Sequence, residues 1–372
     1  MNRINRRDFI KKSTGALSFF SLPLVLTWIN SEAHAGAEST WRNTSGSFSF
    51  VTIPDVHLDY KCSGEHLLKM AQWIVSNAQE RNMHFVAQLG DLGDRRGDGT
   101  IKEMLHQARL ALEPVNQADI PLTVCIGNHD YDETSSVRET ECWNQPNALG
   151  KAMYSGKPWF GGTFEEQVDE PGLNPGGTIN HYMTLDVPGT KLLLLTLELA
   201  PRDKVMDWAE DLVLNRHPSH DVIVFTHSYL HLDGQRVTDG TRFNPKDYSA
   251  FSTQPGPEYT NDGLDLWQKY FRSWPNLRMV HSGHAINEPT QAYKISTGDK
   301  GNNVAEFFYN WQNWGFDVNA GRLIPGQGTP YQATMLKIFD VDTRANRVVV
   351  QNLMPVLGES GEAALPDSFD WS

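Results

Sequence analysis

The chain has 372 residues, of which 39% are hydrophobic and 21% charged, and its formal net charge is −13 at pH 7. This composition supports a substantial core, and no region is polar enough to predict a long disordered tail. The acidic excess excludes a protein that coats nucleic acid or an anionic membrane through bulk charge.

Residues 1–35 are predicted to be an export signal rather than part of the fold. A basic segment with Arg6 and Arg7 precedes an apolar stretch, and Ala33-His34-Ala35 forms a small-residue cleavage site. The apolar stretch is shorter and more interrupted than the ~20 residues of a membrane span. The arginine pair resembles a twin-arginine signal, although Asn5 stands where serine or threonine is usual. An ordinary secretory signal and an uncleaved anchor are the alternatives.

The predicted signal has consequences for localisation and partners. It holds five of the 32 basic and two of the 45 acidic residues, so its removal leaves residues 36–372 with a formal charge of −16. These residues are predicted to form a single domain without a stable membrane span. The twin-arginine translocase would carry the chain across the membrane already folded, which allows a metal to be loaded before export. The mature protein is expected to be periplasmic or secreted.

The first half of the mature chain alternates strands and helices. Apolar runs predict strands at 48–53, 84–89 and 122–126, and apolar residues at helical spacing predict helices at 67–78 and 101–117. Strands that are connected by helices in this way indicate a parallel sheet with crossover connections.

After residue 130 the chain contains two long loops, at residues 131–180 and 228–260, which are expected to shape a substrate pocket. Other elements are predicted between and after these loops. They are strands at 181–186, 191–197, 221–225 and 277–280, helices at 203–215 and 264–274, and tail strands at 334–340 and 347–353.

Five of the predicted strands are followed directly by Asp, His or Asn side chains. Ligands bind beyond the carboxyl ends of strands in open α/β sheets, where loops present rigidly held side chains. We therefore expect these residues to converge, although they share no local sequence. They are Asp55, His57, Asp91, Asn128, His227 and His284.

These residue types suit a metal centre, because imidazole and carboxylate groups bind zinc, iron or manganese. Asp55 and His57 lie two residues apart in an extended segment, so both can reach one ion. Asp91 can bridge two ions. Two ions about 3.5–4 Å apart can stabilise both the attacking and the leaving oxygen of an in-line displacement, and a hydroxide between them is a ready nucleophile.

The order of these motifs resembles the calcineurin-like metallophosphoesterase superfamily. The matching motifs, each weak alone, are Asp55-Val56-His57, Gly90-Asp91-Leu92-Gly93-Asp94, Gly127-Asn128-His129-Asp130, His227 and Gly283-His284. Residues 208–210, 226–230 and 307–313 are similar to a bacterial exported subgroup. The resemblance implies an α/β fold of two packed mixed β-sheets flanked by helices, a four-layer αββα sandwich. It also implies hydrolysis of a phosphomonoester or phosphodiester by a metal-bound hydroxide.

The resemblance also assigns roles to individual residues. Two divalent or trivalent ions (iron, zinc or manganese) are implied, the first held by Asp55, His57 and Asp91, the second by Asp91, Asn128, His227 and His284. His129 is implied to protonate the leaving oxygen, with Asp94 orienting it, as in the protein serine/threonine phosphatases. Arg95 matches a phosphate-binding arginine of those phosphatases, although Arg95-Arg96 can equally be a solvated pair.

Two positions depart from the family pattern. The family often has Gly-His-x-His, but Ile286 replaces the second histidine, which is a ligand of the first ion. Water then completes that site, or the ion is bound weakly. Asp94 stands where purple acid phosphatases have a tyrosine, so an iron–tyrosinate centre is not expected.

Hydrolysis of a small phosphorylated substrate is therefore the leading hypothesis. The change at Ile286 motivates the alternative of a catalytically weakened metal-binding or interaction protein on the same scaffold. A metal hydrolase of amides or esters is disfavoured, because such sites give no reason for Asn128-His129 beside a bridging aspartate. The substrate, the metal, the oligomeric state and the choice between monoester and diester stay open.

Several other residues receive structural interpretations. His281 is expected to point away from the metal ligands, His181 to lie on the surface, and Tyr229 to be a candidate pocket residue. Cys125 is predicted to be a buried thiol. Cys62 and Cys142 are candidates for a disulfide in an oxidising compartment.

Overall fold

The computed structural model of the protein describes residues 46–58, 64–94, 100–132, 140–164, 177–248, 260–287, 289–312, 314–317, 322–325, 335–355, 359–360 and 364–372. The predicted signal at residues 1–35, Cys62 and Arg95 lie outside these residues. Within the described ranges, no helix is both long and apolar enough to span a membrane.

The described strands and helices are numbered in chain order. The strands are β1 (Ser47–Ile53), β2 (Met83–Gln88), β3 (Leu122–Val124), β4 (Phe160–Thr163), β5 (His181–Val187), β6 (Thr190–Leu197), β7 (Asp221–Thr226), β8 (Leu277–Ser282), β9 (Gln291–Thr297), β10 (Asn303–Tyr309), β11 (Trp314–Asp317), β12 (Arg322–Pro325), β13 (Leu336–Asp342), β14 (Arg347–Met354), β15 (Glu359–Ser360) and β16 (Ser368–Phe369). The α-helices are α1 (Glu65–Asn77), α2 (Ile101–Gln117), α3 (Asp203–Asp211) and α4 (Gly263–Lys269).

The first sheet has the order β15-β14-β13-β1-β2-β3, with β16 paired to β14. β1 and β3 both run parallel to β2, and α1 and α2 make the crossover connections. The predicted strand–helix–strand–helix–strand unit is therefore confirmed. Six consecutive buried residues in β1 explain its central place, since a strand covered on both faces is apolar throughout. α2 begins at a capping box between Thr100 and Glu103.

The second sheet has the order β4-β5-β6-β7-β8-β10-β9 and is also mixed. β6, β7, β8 and β10 are parallel neighbours, so their carboxyl ends meet at one edge. The sequence pattern did not predict the strands β4, β9 and β10. The predicted helix at 203–215 is formed by two elements, α3 and the π-helical turn Leu212–Arg216 that follows it.

Alternating side chains of β6 connect the layers of the fold. Leu192 and Leu194 belong to the apolar core that includes the first sheet, whereas Leu193 and Leu195 pack with residues of α3 and α4. A strand points successive side chains to opposite faces, so one apolar strand serves two interfaces. The predicted architecture, two mixed sheets flanked by helices, is confirmed.

Three interpretations of single residues are tested by the core. His281 points away from the candidate ligands, as predicted, with its ring stacked against Phe225 and Phe307 at centroid distances of 5.2 and 4.9 Å. Cys125 is buried, as predicted. Cys142 is a free thiol, but Cys62, its candidate disulfide partner, lies outside the described residues, so the disulfide stays a prediction. The surface position predicted for His181 is wrong, because β4 and the segment before it cover this strand.

His181 instead connects the two sheets. Its Nε2 lies 2.8 Å from the Thr123 hydroxyl of β3, and its Nδ1 donates to the Thr178 carbonyl oxygen at 2.7 Å. Burial lowers the pKa of His181 from 6.5 to about 4. A histidine that is neutral in the fold and protonated when unfolded makes stability depend on pH.

Acid is therefore expected to destabilise the protein partly through His181. The unfolded state binds the additional proton between pH 6.5 and about 4, so this contribution is complete above that window and is lost as the pH falls. From pH 7 to pH 5, His181→Gln should lose about 2 kcal/mol less of its unfolding free energy than the wild type. Urea titrations at both pH values measure this, with His106→Gln on α2 as the control. An equal loss in wild type and His181→Gln would contradict the assignment.

Candidate metal centre

The side chains predicted to converge lie together at the carboxyl ends of the strands. Asp55 and His57 follow β1, and Asp91 follows β2. Asn128 follows β3, and His227 and His284 follow β7 and β8. The carboxyl ends of β1–β3 and of β7–β8 thus form one site between the two sheets.

Asp91 is the central side chain of this site. Its Oδ2 lies 3.3 Å from His57 Nε2 and 3.2 Å from His227 Nε2. Its Oδ1 accepts a hydrogen bond of 2.9 Å from the backbone N–H of His129. Two sets of ligand atoms could each hold an ion, one from His57, Asp91 and His129, the other from Asp91, His227 and His284. The two sets share Asp91.

The ring nitrogens that face Asp91 fit metal ligation. His227 donates its Nδ1–H to the Leu89 carbonyl oxygen at 2.7 Å, which leaves Nε2 as the nitrogen with a lone pair. His284 Nε2 lies 3.0 Å from the Phe243 carbonyl oxygen, while its buried Nδ1 has no hydrogen-bond partner in the part of the chain that the structure describes. Buried His57 faces the Asp91 carboxylate with its Nε2, while its Nδ1 has no hydrogen-bond partner among the described residues. Metal-binding histidines have this pattern, with one nitrogen fixed by the protein and the other left for the ion.

Asn128 and Asp55 complete the predicted set in different ways. Asn128 Oδ1 lies 3.2 Å from His227 Nε2, beside the second group. Asp55 is only 1% exposed but belongs to neither group. Its carboxylate accepts hydrogen bonds from the His284 backbone N–H and from Asn310 Nδ2, the latter at 2.8 Å.

Backbone contacts hold the loops of the site together. The N–H groups of Val56 and His57 donate to the Asp91 carbonyl oxygen. The buried Asp130 carboxylate accepts from the N–H of Gly93 and of Gly127, each at 2.9 Å. Asp130 thus connects the second and third motifs rather than reaching an ion.

The motif glycines make room for ligands from other motifs. A Cβ on Gly90 would lie 2.5 Å from His227 Nδ1, and one on Gly127 would lie 2.2 Å from Asp91 Oδ1. A Cβ on Gly283 would lie 2.1 Å from Asp55 Oδ1. Such distances are too short for any side chain, so each motif requires glycine because a different motif occupies the space.

Three of the predicted ligands have a left-handed backbone. The φ angles are +45° at His57, +51° at Asp91 and +75° at His284. This conformation is uncommon for residues other than glycine, and such strain clusters at functional sites. The chain therefore accepts a local conformational cost in order to direct these side chains inward.

Electrostatics couple the members of the site. Burial alone would raise the pKa of Asp91, but His227, His129 and His57 hold that pKa well below its usual range. Burial opposes protonation of His227, but Asp91 and Asp55 raise its pKa to about 10. Burial raises the pKa of Asp55 to about 7. The carboxylates thus attract protons onto His57 and His227, and a metal cation would take the place of those protons. Burial instead lowers the pKa of His129 and lowers that of His284 to about 3.

His129 and Asp94 lie at the open side of the site. The His129 side chain is 27% exposed, and its Nδ1 is 3.9 Å from Asp94 Oδ1, which is too far for a direct hydrogen bond. Asp94 lies at a similar distance, 4.0 Å, from His57 Nδ1. The carboxylate can therefore act on both rings through its charge.

The sequence missed two contacts of the site and misassigned one residue. The Tyr248 hydroxyl lies 3.0 Å from His284 Nε2, and Asn310 contacts Asp55. An apolar strand followed by a polar residue at Tyr309-Asn310 was an available signal for the second. The pocket role predicted for Tyr229 is wrong, because its ring is fully buried and its hydroxyl accepts from Arg236 Nε.

The chain matches a known protein family and is similar to known proteins. The sequence model of the family described as calcineurin-like phosphoesterase matches residues 48–285, well over half of the chain. The uncharacterized protein YvnB of Bacillus subtilis (strain 168) is 24% identical over 239 residues, covering 64% of this chain and 15% of YvnB. This chain therefore spans a small part of that relative.

Solved structures of low sequence identity also align. A 5'-nucleotidase precursor from Thermus thermophilus has a TM-score of 0.45 and 12% identity, covering 83% of this chain and 54% of the other. GAP50, the anchor in the inner membrane complex of Plasmodium, has a TM-score of 0.43 and 10% identity, covering 88% and 89%. Haemophilus influenzae NAD nucleotidase has a TM-score of 0.40 and 11% identity, covering 79% and 47%.

Gly90 provides a test of the packing between motifs. Gly90→Ala should displace His227 and weaken binding of one metal ion by about tenfold or more. Gly240→Ala is the matched control, because Gly240 also has a positive φ but a Cβ added there would meet no atom within 4 Å. The control should cost only about 1 kcal/mol of stability. Elemental analysis after dialysis measures the bound metal, and equal metal content in the two variants would contradict this explanation.

Proposed function

We propose that this chain, which belongs to the calcineurin-like phosphoesterase family, is an exported hydrolase of phosphoric esters that uses two metal ions. The main evidence for this proposal is the position of Asp91, whose carboxylate lies within 3.3 Å of nitrogens of both His57 and His227. It belongs to both candidate metal groups. One shared carboxylate can hold two ions close enough to act on one phosphoryl group.

The ligands are proposed from the resemblance of the motifs, which gives Asp55 as a ligand of the first ion and keeps His129 as a proton donor. The positions of His57, Asp91, His227 and His284 support this assignment. Iron, zinc and manganese all suit imidazole and carboxylate donors. Two such cations supply Lewis-acid stabilisation of phosphoryl oxygens and make a bound water molecule more acidic. The first ion would be held by Asp55, His57 and Asp91, and the second by Asp91, Asn128, His227 and His284.

His129 is the proposed proton donor to the leaving oxygen. Its ring lies at the open side of the site, 4.7 Å between centroids from the ring of His57. Its backbone N–H is fixed on Asp91, so the ring is positioned relative to the shared carboxylate. Asp94, at 3.9 Å, would orient the ring and stabilise its protonated form. Arg95 stays a candidate phosphate ligand, proposed from the sequence.

The second candidate function is a metal-binding or interaction protein without turnover. It is favoured by Asp55, which belongs to neither candidate metal group, together with Ile286 in place of a histidine. A chain that holds one ion or none would fit this alternative, because a single ion cannot stabilise both the attacking and the leaving oxygen.

Metal content and turnover test the proposal together. We expect two metal ions per chain by elemental analysis, and hydrolysis of nitrophenyl phosphate or of bis-nitrophenyl phosphate. His129→Gln should keep both ions but lower kcat by about 10²–10⁴-fold, whereas His217→Gln, far from the site, should behave as wild type. Protein that contains two ions and hydrolyses neither ester would overturn the proposal, and one ion or none would favour the binding protein.

Export is proposed from residues 1–35, with the twin-arginine translocase as partner and the periplasm or the exterior as destination. The twin-arginine route requires the arginine pair itself rather than its charge. Arg6→Lys/Arg7→Lys should therefore leave the precursor uncleaved inside a bacterial host, while the wild type is cleaved after Ala35. Cell fractionation and N-terminal sequencing measure both outcomes. Normal export of the double variant would indicate an ordinary secretory signal.

A further inference from the structure

The site contains a sixth strand end that the family motifs do not include. β10 runs parallel to β8, so its carboxyl end lies at the same edge as His284. Asn310 follows β10 directly and is 3% exposed. It thus occupies a position equivalent to those of the proposed ligands, on the strand next to the one that lacks a histidine at Ile286.

Asn310 contacts one proposed ligand directly. Its Nδ2 donates to Asp55 Oδ2 at 2.8 Å, the shortest hydrogen bond that the Asp55 carboxylate receives. Among the described residues, the other donor is the His284 backbone N–H, at 3.1 Å from Oδ2 and 3.3 Å from Oδ1. Both donors thus lie nearer to Oδ2, which leaves Oδ1 as the oxygen with more capacity for an ion.

The orientation of the Asn310 amide is fixed by its other contacts. Its Oδ1 accepts from the Gln312 backbone N–H at 2.8 Å, and its backbone N–H donates to the Thr290 carbonyl oxygen at 2.9 Å. Its Nδ2 also donates to Gln312 Oε1 at 3.0 Å. If the amide oxygen and nitrogen exchanged places, the oxygen would face the Asp55 carboxylate and the amide N–H would face the Gln312 backbone N–H. Only the observed orientation therefore satisfies all partners.

We propose that Asn310, supported by Gln312, is the positioning residue that holds the Asp55 carboxylate for the first metal ion. It replaces the constraint that a second histidine would provide at Ile286. The inference rests on the proposed two-ion site. Buried neighbours that orient a ligand typically change metal affinity by 10–100-fold when they are removed. Asn310 itself does not bind the ion, because its oxygen is directed to Gln312.

Manganese binding tests this role apart from activity. Asn310→Leu keeps the approximate volume but removes the donor, and Asn310→Ser is a second variant in case leucine does not fold. Asn276→Leu is the matched control, because Asn276 is also buried and donates to a backbone carbonyl, that of His220, at the start of β8. Mn²⁺ titration gives the two dissociation constants, and electron paramagnetic resonance distinguishes a coupled pair of ions from a single ion.

We expect the Asn310 variants to bind the first Mn²⁺ about 10–100-fold more weakly, with the affinity of the second ion unchanged. At the Mn²⁺ concentration that gives the wild type a coupled pair, the electron paramagnetic resonance spectrum of the variants should be that of a single ion. Excess Mn²⁺ should restore the spectrum of the pair. Asn276→Leu should lose stability without these changes. If the Asn310 variants bound both ions with wild-type affinity, or lost affinity equally for both ions, the proposal would be overturned. Wild type with a coupled pair but no turnover would refute only the enzymatic function.

Discussion

The contact between the Asp91 carboxylate and the surrounding imidazole rings is the constraint on which the site depends. A buried carboxylate is unfavourable unless positive charge or hydrogen bonds compensate it. His57, His227 and the His129 backbone provide that compensation from three different loops. Each loop therefore has its correct position only when the others are formed, so the two sheets and the metal site are expected to stabilise each other.

The same dependence explains why the motifs occur together. Gly90 leaves space for His227, Gly127 for Asp91, and Gly283 for Asp55. The residues in each pair are 36 to 228 positions apart in the sequence, yet no side chain fits between them. A glycine in one motif is thus a packing requirement of another. The left-handed backbone at His57 and Asp91 is tolerated because these contacts fix both residues from several directions.

The sequence predicted the first sheet and the converging ligands well, because each ligand directly follows a long apolar strand. It failed where a long-range contact determines the outcome. β4 covers His181, and nothing local to His181 indicates this. Tyr229 was placed in the pocket because of its distance from His227, but the ion pair between Arg236 and Glu306 draws its hydroxyl into the core. The miss of Asn310 has a local cause instead: the end of β10 overlaps residues 307–313, a segment interpreted as a motif rather than a strand.

The charge of the site limits what it can bind. The strongest electrostatic influences on Asp55, Asp91 and Asp130, beyond burial, come from histidines, from other carboxylates and from backbone N–H groups. An anionic phosphoryl group that approached these carboxylates without bound cations would be repelled, because the histidine charge is already engaged with Asp91. Loaded cations reverse the sign of the local field. In the proposed hydrolase, substrate binding, and not only the chemical step, would therefore depend on the ions, and loss of the first ion would weaken both.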